Sequence, residues 1–197
     1  MSKFIPIESE LRKSGLFFVA GIDEAGRGPL AGPLVCAAVI LKPNARLPKL
    51  DDSKKLSKKT RETLFTKIIE NSLDYAITIV SHSTIDDINI VNAVKFGNQQ
   101  CVKRLTIKPD MVLIDGRDKQ IIDIPFQTII KGDQKVKTIA AASVLAKVTR
   151  DRIMERYHEE FPQYNFNKHM GYGTKDHRSN IRKHGVTEIH RTSYTLL

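Results

Sequence analysis

The stretch FFVAGIDEAGRGPLAGP, residues 17–33, decides the fold. Residues 17–22 are apolar or small, which is typical of a buried strand, and Asp23 and Glu24 follow directly. A turn rich in glycine and proline comes next, and residues 33–41 form a second apolar strand. Acids that follow a buried strand indicate a site at the edge of a sheet, where the ends of several strands meet.

In the rest of the chain, strands come first and helices interleave with them later. A polar, lysine-rich loop is predicted over 42–59, and a glycine-containing loop over 171–173. Further strands are predicted at 75–80, 111–114 and 125–130, and helices at 60–72, from a cap at Ser83 to Leu105, at 135–160, and in a short basic segment ending at Gly185. This order favours an α/β layered domain with a mixed sheet.

Length and composition indicate one globular domain inside the cell. The chain has 197 residues, of which 41% are hydrophobic and 27% charged, an ordinary globular balance. No apolar run approaches the ~20 residues of a membrane helix, and the N-terminus lacks the apolar region of a signal peptide. We therefore expect a cytoplasmic monomer in which Cys36 and Cys101 are buried free thiols.

The positive charge is concentrated in two stretches. The chain carries 32 basic and 22 acidic residues, a net charge of +10. Residues 42–67 hold nine Lys or Arg and three acids, residues 165–191 hold six and two, and the remainder is neutral. Concentrated positive charge predicts a polyanionic partner, most simply nucleic acid. The alternative is a merely soluble basic surface.

Acids recur at the ends of predicted strands. Asp115 follows the strand 111–114, and Asp133 follows the run 125–130 after Lys131 and Gly132. Each acid alone is explained as a turn residue, but three strand ends with acids predict one crevice. Crowded carboxylates repel one another, and Mg²⁺ or Mn²⁺ relieves this repulsion. Because two such ions can hydrolyse a phosphodiester, the pattern predicts a metal-dependent nuclease.

The pair Asp23 and Glu24 presents a geometric difficulty. Neighbouring residues of a strand point to opposite faces, so both can face one ion only if the strand ends, twists or bulges there. The segment Gly26, Arg27 and Gly28 follows, and its glycines allow backbone amides to approach a ligand closely. The alternative interpretation is a tight strand connection with a solvated arginine.

Five ordered blocks of sequence resemble the ribonuclease HII family. These blocks are residues 21–33, 52–57, 113–116, 131–133 together with 140–151, and 169–174. The resemblance implies an RNase H-like mixed five-stranded sheet flanked by helices over residues 1–160, with a C-terminal helical extension over 161–197. It also implies cleavage of the RNA strand of RNA–DNA hybrids and incision 5′ of single ribonucleotides embedded in duplex DNA, leaving a 3′-hydroxyl and a 5′-phosphate.

The resemblance also assigns roles to individual residues. Metal ligands are expected at Asp23, Glu24 and Asp115, for Mn²⁺ or Mg²⁺, with Asp133 as the fourth catalytic acid. The backbone of Gly26, Arg27 and Gly28 is expected to read the ribose 2′-hydroxyl, the group that distinguishes RNA from DNA. The other residues expected to bind substrate are Ser53, Lys54 and Lys55, which contact phosphates or form a solvated loop, and Tyr172, which packs on a sugar or anchors its loop.

Several residues keep two interpretations. Ser143 and Lys147 share one helix face and either orient a catalytic acid or close a helix contact. Asp151 is a rival acid, for which pairing with an arginine is the simpler interpretation. The four histidines of the basic tail are expected on the surface, with His169 as a hypothetical general acid; they are His169, His177, His184 and His190. For the whole protein, the alternatives are a non-enzymatic duplex binder and a DNA nuclease of the same fold.

Overall fold

The computed structural model describes residues 4–197 as a mixed sheet with helices on both faces. The strands are β1 (Val19–Ala25), β2 (Leu34–Leu41), β3 (Ser72–Val80), β4 (Met111–Asp115) and β5 (Phe126–Ile129). The helices are α1 (Ile7–Lys13), α2 (Lys58–Glu70), α3 (His82–Arg104), α4 (Gly132–Lys135), α5 (Lys137–Glu160), α6 (Phe166–His169) and α7 (Lys175–His184). Short 3-10 helices cover Ser53–Lys55 and Pro162–Tyr164.

The sheet order is β3-β2-β1-β4-β5, which confirms the predicted mixed five-stranded sheet. Strand β2 pairs antiparallel with β1 and β3, whereas β4 pairs parallel with β1 and β5. Strand β2 is buried along its whole length. Because successive side chains of a strand point to opposite faces, its residues pack alternately into the two hydrophobic cores on either side of the sheet. Val35 and Val39 pack with α2 and α5, and Cys36 packs with Cys101 of α3 on the opposite face. Both cysteines are buried and free, as predicted.

Strand β1 extends further than the sequence predicted. Its parallel pairing with β4 ends at Ile22 opposite Ile114, but its antiparallel pairing with β2 continues to Ala25. Asp23 and Glu24 therefore lie inside the strand and keep a regular register with β2. The prediction that the strand ends before these acids is wrong, because β2 supplies backbone partners beyond the point where β4 stops.

Helix boundaries differ from the sequence prediction in α2, in α3 and in the predicted helix 135–160, which begins as α5 at Lys137, after Val136 separates it from α4. The predicted loop 42–59 contains the 3-10 helix, and α2 already begins at Lys58 because the Ser57 side chain accepts a hydrogen bond from Thr60 N. Helix α3 is capped by Ser81 instead of Ser83, and it contains a non-helical Asn89 with φ of 62°. The predicted end of α7 at Gly185 is confirmed.

Helix α5 lies directly against β1 at Gly21, which positions the strand that carries Asp23. A Cβ atom at Gly21 would lie 2.3 Å from the backbone carbon of Thr138 and 2.5 Å from Ile139 N. At the same end of α5, the buried Glu8 carboxylate accepts hydrogen bonds from the backbone N and the hydroxyl of Thr138. None of the helices in residues 4–197 is long and apolar enough to cross a membrane.

We expect Gly21→Ala to lower the free energy of unfolding by at least about 2 kcal/mol, because the new methyl group overlaps the backbone of α5. Urea unfolding measured by circular dichroism tests this. Gly28→Ala is the control, since a Cβ there would meet only a ring carbon of Tyr172 at 3.8 Å. Equal stability of the two variants would contradict the close approach of α5 to β1.

Candidate metal and nucleic-acid site

One cavity of about 490 Å³ collects residues from seven separate parts of the chain. Its walls come from strand β1, the loop after it, the 3-10 helix, α2, the end of β4, α5 and the loop between α6 and α7. The lining residues are Asp23, Glu24, Ala25, Gly26, Arg27, Gly28, Ser53, Lys54, Arg61, Asp115, Ser143, Lys147 and Tyr172. Most of the predicted site residues therefore meet at one place, while Asp133 and Lys55 are not among the lining residues.

Asp23 is held by hydrogen bonds from its own strand and from α5. Its Oδ1 accepts a hydrogen bond from Glu24 N at 2.7 Å. The Ser143 hydroxyl also hydrogen-bonds to Asp23, and the Oγ atoms of Ser143 and Ser53 lie 2.9 Å apart. Ser143 thus orients an acid of the cavity and also contacts the 3-10 helix, so both interpretations of this serine apply.

Asp115 connects the end of β4 to the segment that carries Asp133. Its Oδ1 accepts a hydrogen bond from Gly132 N at 2.6 Å, and a Cβ at Gly132 would lie 3.3 Å from the same oxygen. Asp133 follows in α4 and is buried. Asp133 is close enough to Asp115 for the two charges to repel each other.

The carboxylates of the cavity are poorly solvated and repel one another. Burial, with the negative charges of Glu24 and Asp115, raises the pKa of Asp23 well above its usual value. Burial also raises the pKa of Glu24 to about 7, with a contribution from Asp115 and with Arg27 acting in the opposite direction. The pKa of Asp133 is raised by burial and by Asp115. Bound cations would relieve this repulsion.

The donor chemistry of the cavity suits a hard divalent cation. Asp23, Glu24 and Asp115 supply only carboxylate oxygens, the ligands that Mg²⁺ and Mn²⁺ prefer. In residues 4–197, no group of three His, Cys, Asp or Glu side chains could hold an ion in the present arrangement. Oxygens that would bind metal are engaged elsewhere, for example Glu24 Oε1 with Arg27 Nη1 at 3.4 Å. The residues fit the cation in chemistry, and ligation requires these side chains to reorient.

Basic side chains surround the acids. Burial alone would lower the pKa of Lys54, but Asp23 and Asp133 outweigh it and raise this pKa. Lys147 and Arg61 also line the cavity, and both pair with Asp151, with Lys147 Nζ at 2.7 Å from Oδ1. Asp151 therefore forms ion pairs, in agreement with its simpler interpretation. Lys55 is exposed and lies outside the cavity wall.

The loop of residues 26–33, which we call the glycine loop, joins β1 to β2, and its residues Gly26, Arg27 and Gly28 line the cavity together with Tyr172. Arg27 spans two acids, since its guanidinium contacts Glu24 and also Asp118 Oδ2 at 3.1 Å. Gly28 lies next to the ring of Tyr172, which is partly exposed. A planar ring beside an open stretch of backbone offers a surface on which a sugar can pack.

Three residues near the site were missed by the sequence analysis. Arg61 was not singled out, although it lies in the first basic stretch, residues 42–67. Asp52 is buried, accepts a hydrogen bond from Lys54 N at 3.0 Å and raises the pKa of Asp133 together with burial and Asp115. Its place in block 52–57 was the available signal. The sequence holds no signal for Asp118, because only the tertiary structure brings its carboxylate to Arg27.

The prediction that the tail histidines lie on the surface is wrong for three of the four. His169, His177 and His190 are buried, and the first two rings stack at a centroid distance of 4.6 Å. Neutral imidazoles tolerate burial when both nitrogens have hydrogen-bond partners, and those of His177 are Tyr172 O and His190 Nε2. Burial lowers the pKa of His177 to about 4. His169 bonds to Tyr164 O and Gly171 N and does not line the cavity, which leaves no support for its role as a general acid.

Comparisons with known proteins show the family to which the whole chain is similar. A model of the ribonuclease HII family matches residues 20–197. A curated ribonuclease HII of Endomicrobium trichonymphae is 46% identical over 196 residues, which cover 98% of this chain and 93% of that protein.

Solved structures show the same fold. The ribonuclease HII in the PCNA:RNase HII complex from Archaeoglobus fulgidus is 30% identical with a TM-score of 0.79, covering 91% of this chain and 96% of that one. Bst-RNase HIII in complex with Mn²⁺ is 18% identical with a TM-score of 0.70, covering 91% and 67%, a likeness of fold alone. With the family match over residues 20–197, these findings show that the chain belongs to the ribonuclease HII family, whose members are metal-dependent endonucleases acting on RNA–DNA hybrids.

Proposed function

We propose that this protein also incises duplex DNA 5′ of single embedded ribonucleotides, as a step in their removal from DNA. It does so by two-metal-ion hydrolysis, leaving a 3′-hydroxyl and a 5′-phosphate. The single observation that carries the proposal is the shared cavity, in which the acids Asp23, Glu24 and Asp115 lie beside the loop of Gly26–Gly28 and Tyr172. One substrate strand can therefore present its phosphate to the acids and its sugar to the loop.

In this proposal the residues of the chain have separate tasks. Asp23, Glu24 and Asp115 would hold Mn²⁺ or Mg²⁺, with Asp133 as the fourth acid. Such ions, when bound, would supply activation of a water and stabilisation of the leaving oxygen. Ser143 and Gly132 N keep two of the acids in place through their hydrogen bonds.

The substrate is held by groups on both sides of these acids. Ser53, Lys54 and Lys55 bind phosphates of the duplex, where positive charge contributes affinity without sequence preference. The backbone of Gly26, Arg27 and Gly28 contacts the ribose 2′-hydroxyl, and the Tyr172 ring packs on the neighbouring sugar. Residues 161–197 form the extension that supplies Tyr172. The monomeric state and the cytoplasmic location stay predictions.

The crowded acids argue against a protein that only binds duplexes. Asp23 is buried, and Glu24 and Asp115 are partly buried. Three such carboxylates in one cavity destabilise the fold unless they are neutralised, and duplex binding does not require them. Family membership argues against a nuclease that cleaves only DNA, because its members act on RNA–DNA hybrids.

The decisive assay uses two DNA duplexes of the same sequence, one of which contains a single ribonucleotide. With Mn²⁺ or Mg²⁺, we expect incision of that duplex only, on the 5′ side of the ribonucleotide, and none in EDTA. Denaturing gel electrophoresis maps the cut. Incision of both duplexes at equal rates, or of neither while a long RNA–DNA hybrid is cleaved, would refute the proposal.

Asp115→Asn is expected to lower kcat by orders of magnitude, because the amide keeps an oxygen for Gly132 N but loses the charge that binds metal. The matched control is Asp110→Asn at the other end of β4, where the carboxylate also accepts a backbone hydrogen bond, from Phe18 N at 2.8 Å. The control should keep wild-type kcat. Near-normal turnover in Asp115→Asn would remove this residue from the catalytic set.

Glu24→Gln is expected to raise the melting temperature by several degrees at pH 8 in EDTA. The folded pKa of Glu24, about 7, exceeds its ordinary value of 4.5, so ionisation from pH 4.5 to 7 destabilises the folded wild type but not the variant. The difference should vanish near pH 4. Scanning calorimetry measures it, with the exposed Glu10→Gln as control, and a less stable Glu24→Gln at pH 8 would contradict the proposed crowding.

A further inference from the structure

Arg191, near the end of the chain, donates hydrogen bonds to three carbonyl groups of the glycine loop. Its side chain is fully buried. The guanidinium donates hydrogen bonds to the carbonyl oxygens of Gly26 at 2.7 Å, Arg27 at 3.1 Å and Gly32 at 2.9 Å. The Tyr194 hydroxyl donates to the same Arg27 oxygen at 2.8 Å. The C-terminal extension therefore contacts the loop that lines the cavity.

Arg150 of α5 supports the same loop from its other end. Its guanidinium donates to the carbonyl oxygens of Ala31 and Pro33, at 3.1 and 2.9 Å, and to that of Met170 at 2.9 Å. It also lies 5.9 Å from the centre of the Tyr172 ring. We call Arg150 and Arg191 the arginine pair. Together these two residues connect the glycine loop to the segment of Tyr172.

Burial of the two charged guanidinium groups of the arginine pair costs free energy. Burial, together with the charge of Arg191, lowers the pKa of Arg150 to about 10, and burial lowers the pKa of Arg191. The hydrogen bonds described above run to backbone carbonyls, so the positive charges are stabilised by oriented peptide dipoles. The loop carbonyls must consequently point inward for the pair to remain buried.

The inward carbonyls determine where the amide groups of the loop point. In a trans peptide, the N–H lies opposite the carbonyl of the preceding residue, and the structure contains no cis peptide bond in residues 4–197. Because the carbonyls of Gly26 and Arg27 face Arg191, the N–H groups of Arg27 and Gly28 point away from it. Arg27 and Gly28 are exposed on that side, where they line the cavity.

We propose that Arg191 is a positioning residue that directs the N–H groups of Arg27 and Gly28 at the ribose, and thereby sets the selectivity for a 2′-hydroxyl. The inference rests on the proposed function, in which this loop contacts the ribose. It assigns to the C-terminal extension a part in substrate discrimination, through a residue that does not itself touch the substrate.

The test compares affinities for two duplexes that differ by one 2′-hydroxyl, in EDTA and by fluorescence anisotropy. The measured quantity is the dissociation constant for the all-DNA duplex divided by that for the duplex with the 2′-hydroxyl. This ratio does not depend on the fraction of protein that is folded, so a variant that is only partly unfolded keeps the wild-type ratio. Arg191→Lys keeps the charge but carries all its donors on one nitrogen, which cannot reach the carbonyls that Nε, Nη1 and Nη2 of Arg191 contact separately. We expect this variant to lower the ratio about tenfold, or to unity where the wild-type ratio is smaller, as for the loss of a well-aligned hydrogen bond.

Two further variants complete the experiment. Tyr194→Phe removes one hydrogen bond to the Arg27 carbonyl at a partly exposed site, so it should fold normally and lower the ratio to a smaller extent. Arg178→Lys is the control, because Arg178 also donates to carbonyls of the extension, those of Thr195 and Leu196, but not to the loop. Its ratio should equal that of the wild type.

The outcomes separate the two proposals. A wild-type ratio well above one that survives in both Arg191→Lys and Tyr194→Phe overturns the positioning role and leaves the proposed function intact. An equal fall in Arg178→Lys also overturns it, since the effect would then not be specific to the loop. A wild-type ratio of one, without incision at the ribonucleotide, refutes the proposed function itself.

Discussion

Repulsion between buried carboxylates is the constraint on which the site depends. Asp23 and Glu24 stand on a strand that continues beyond its parallel neighbour, and Asp115 ends that neighbour. The acids are therefore exposed to a cavity on one side and fixed by a continuous sheet on the other. Because the strands that carry these acids are paired in one sheet, the charges stay close together, and neutralisation comes from protons, nearby cationic side chains or metal ions.

The positively charged side chains around these acids occupy two different environments. Lys54 lies at the cavity and is accessible to a phosphate backbone. Arg150 and Arg191 are buried behind the glycine loop, where carbonyl oxygens surround them. The first kind of charge contributes to affinity for a polyanion, and the second kind fixes the backbone that a substrate contacts. Net charge alone does not distinguish these two uses.

Sequence patterns predicted the sheet, the long helix and the convergence of Asp23, Glu24 and Asp115 correctly, whereas Asp133 does not line the cavity. They failed where a partner distant in sequence decides the outcome. The continuation of β1 through Asp23 and Glu24 depends on backbone partners in β2, and the burial of His177 depends on the stacked rings and carbonyls of residues 164–190. Charge and hydrogen-bonding capacity suggested surface positions for the histidines, because a sequence does not show which polar groups find buried partners.

The sequence by itself determined the class of chemistry, since acids after apolar strands and two basic stretches already specify a metal-dependent enzyme for a polyanion. It also determined the order of the elements, because hydrophobic period and turn residues are local properties of the chain. Only the tertiary structure decided how the glycine loop is held. Arg191 lies more than 150 residues from Gly26, and the direction of a peptide group depends on the hydrogen-bond partner that folding brings to it.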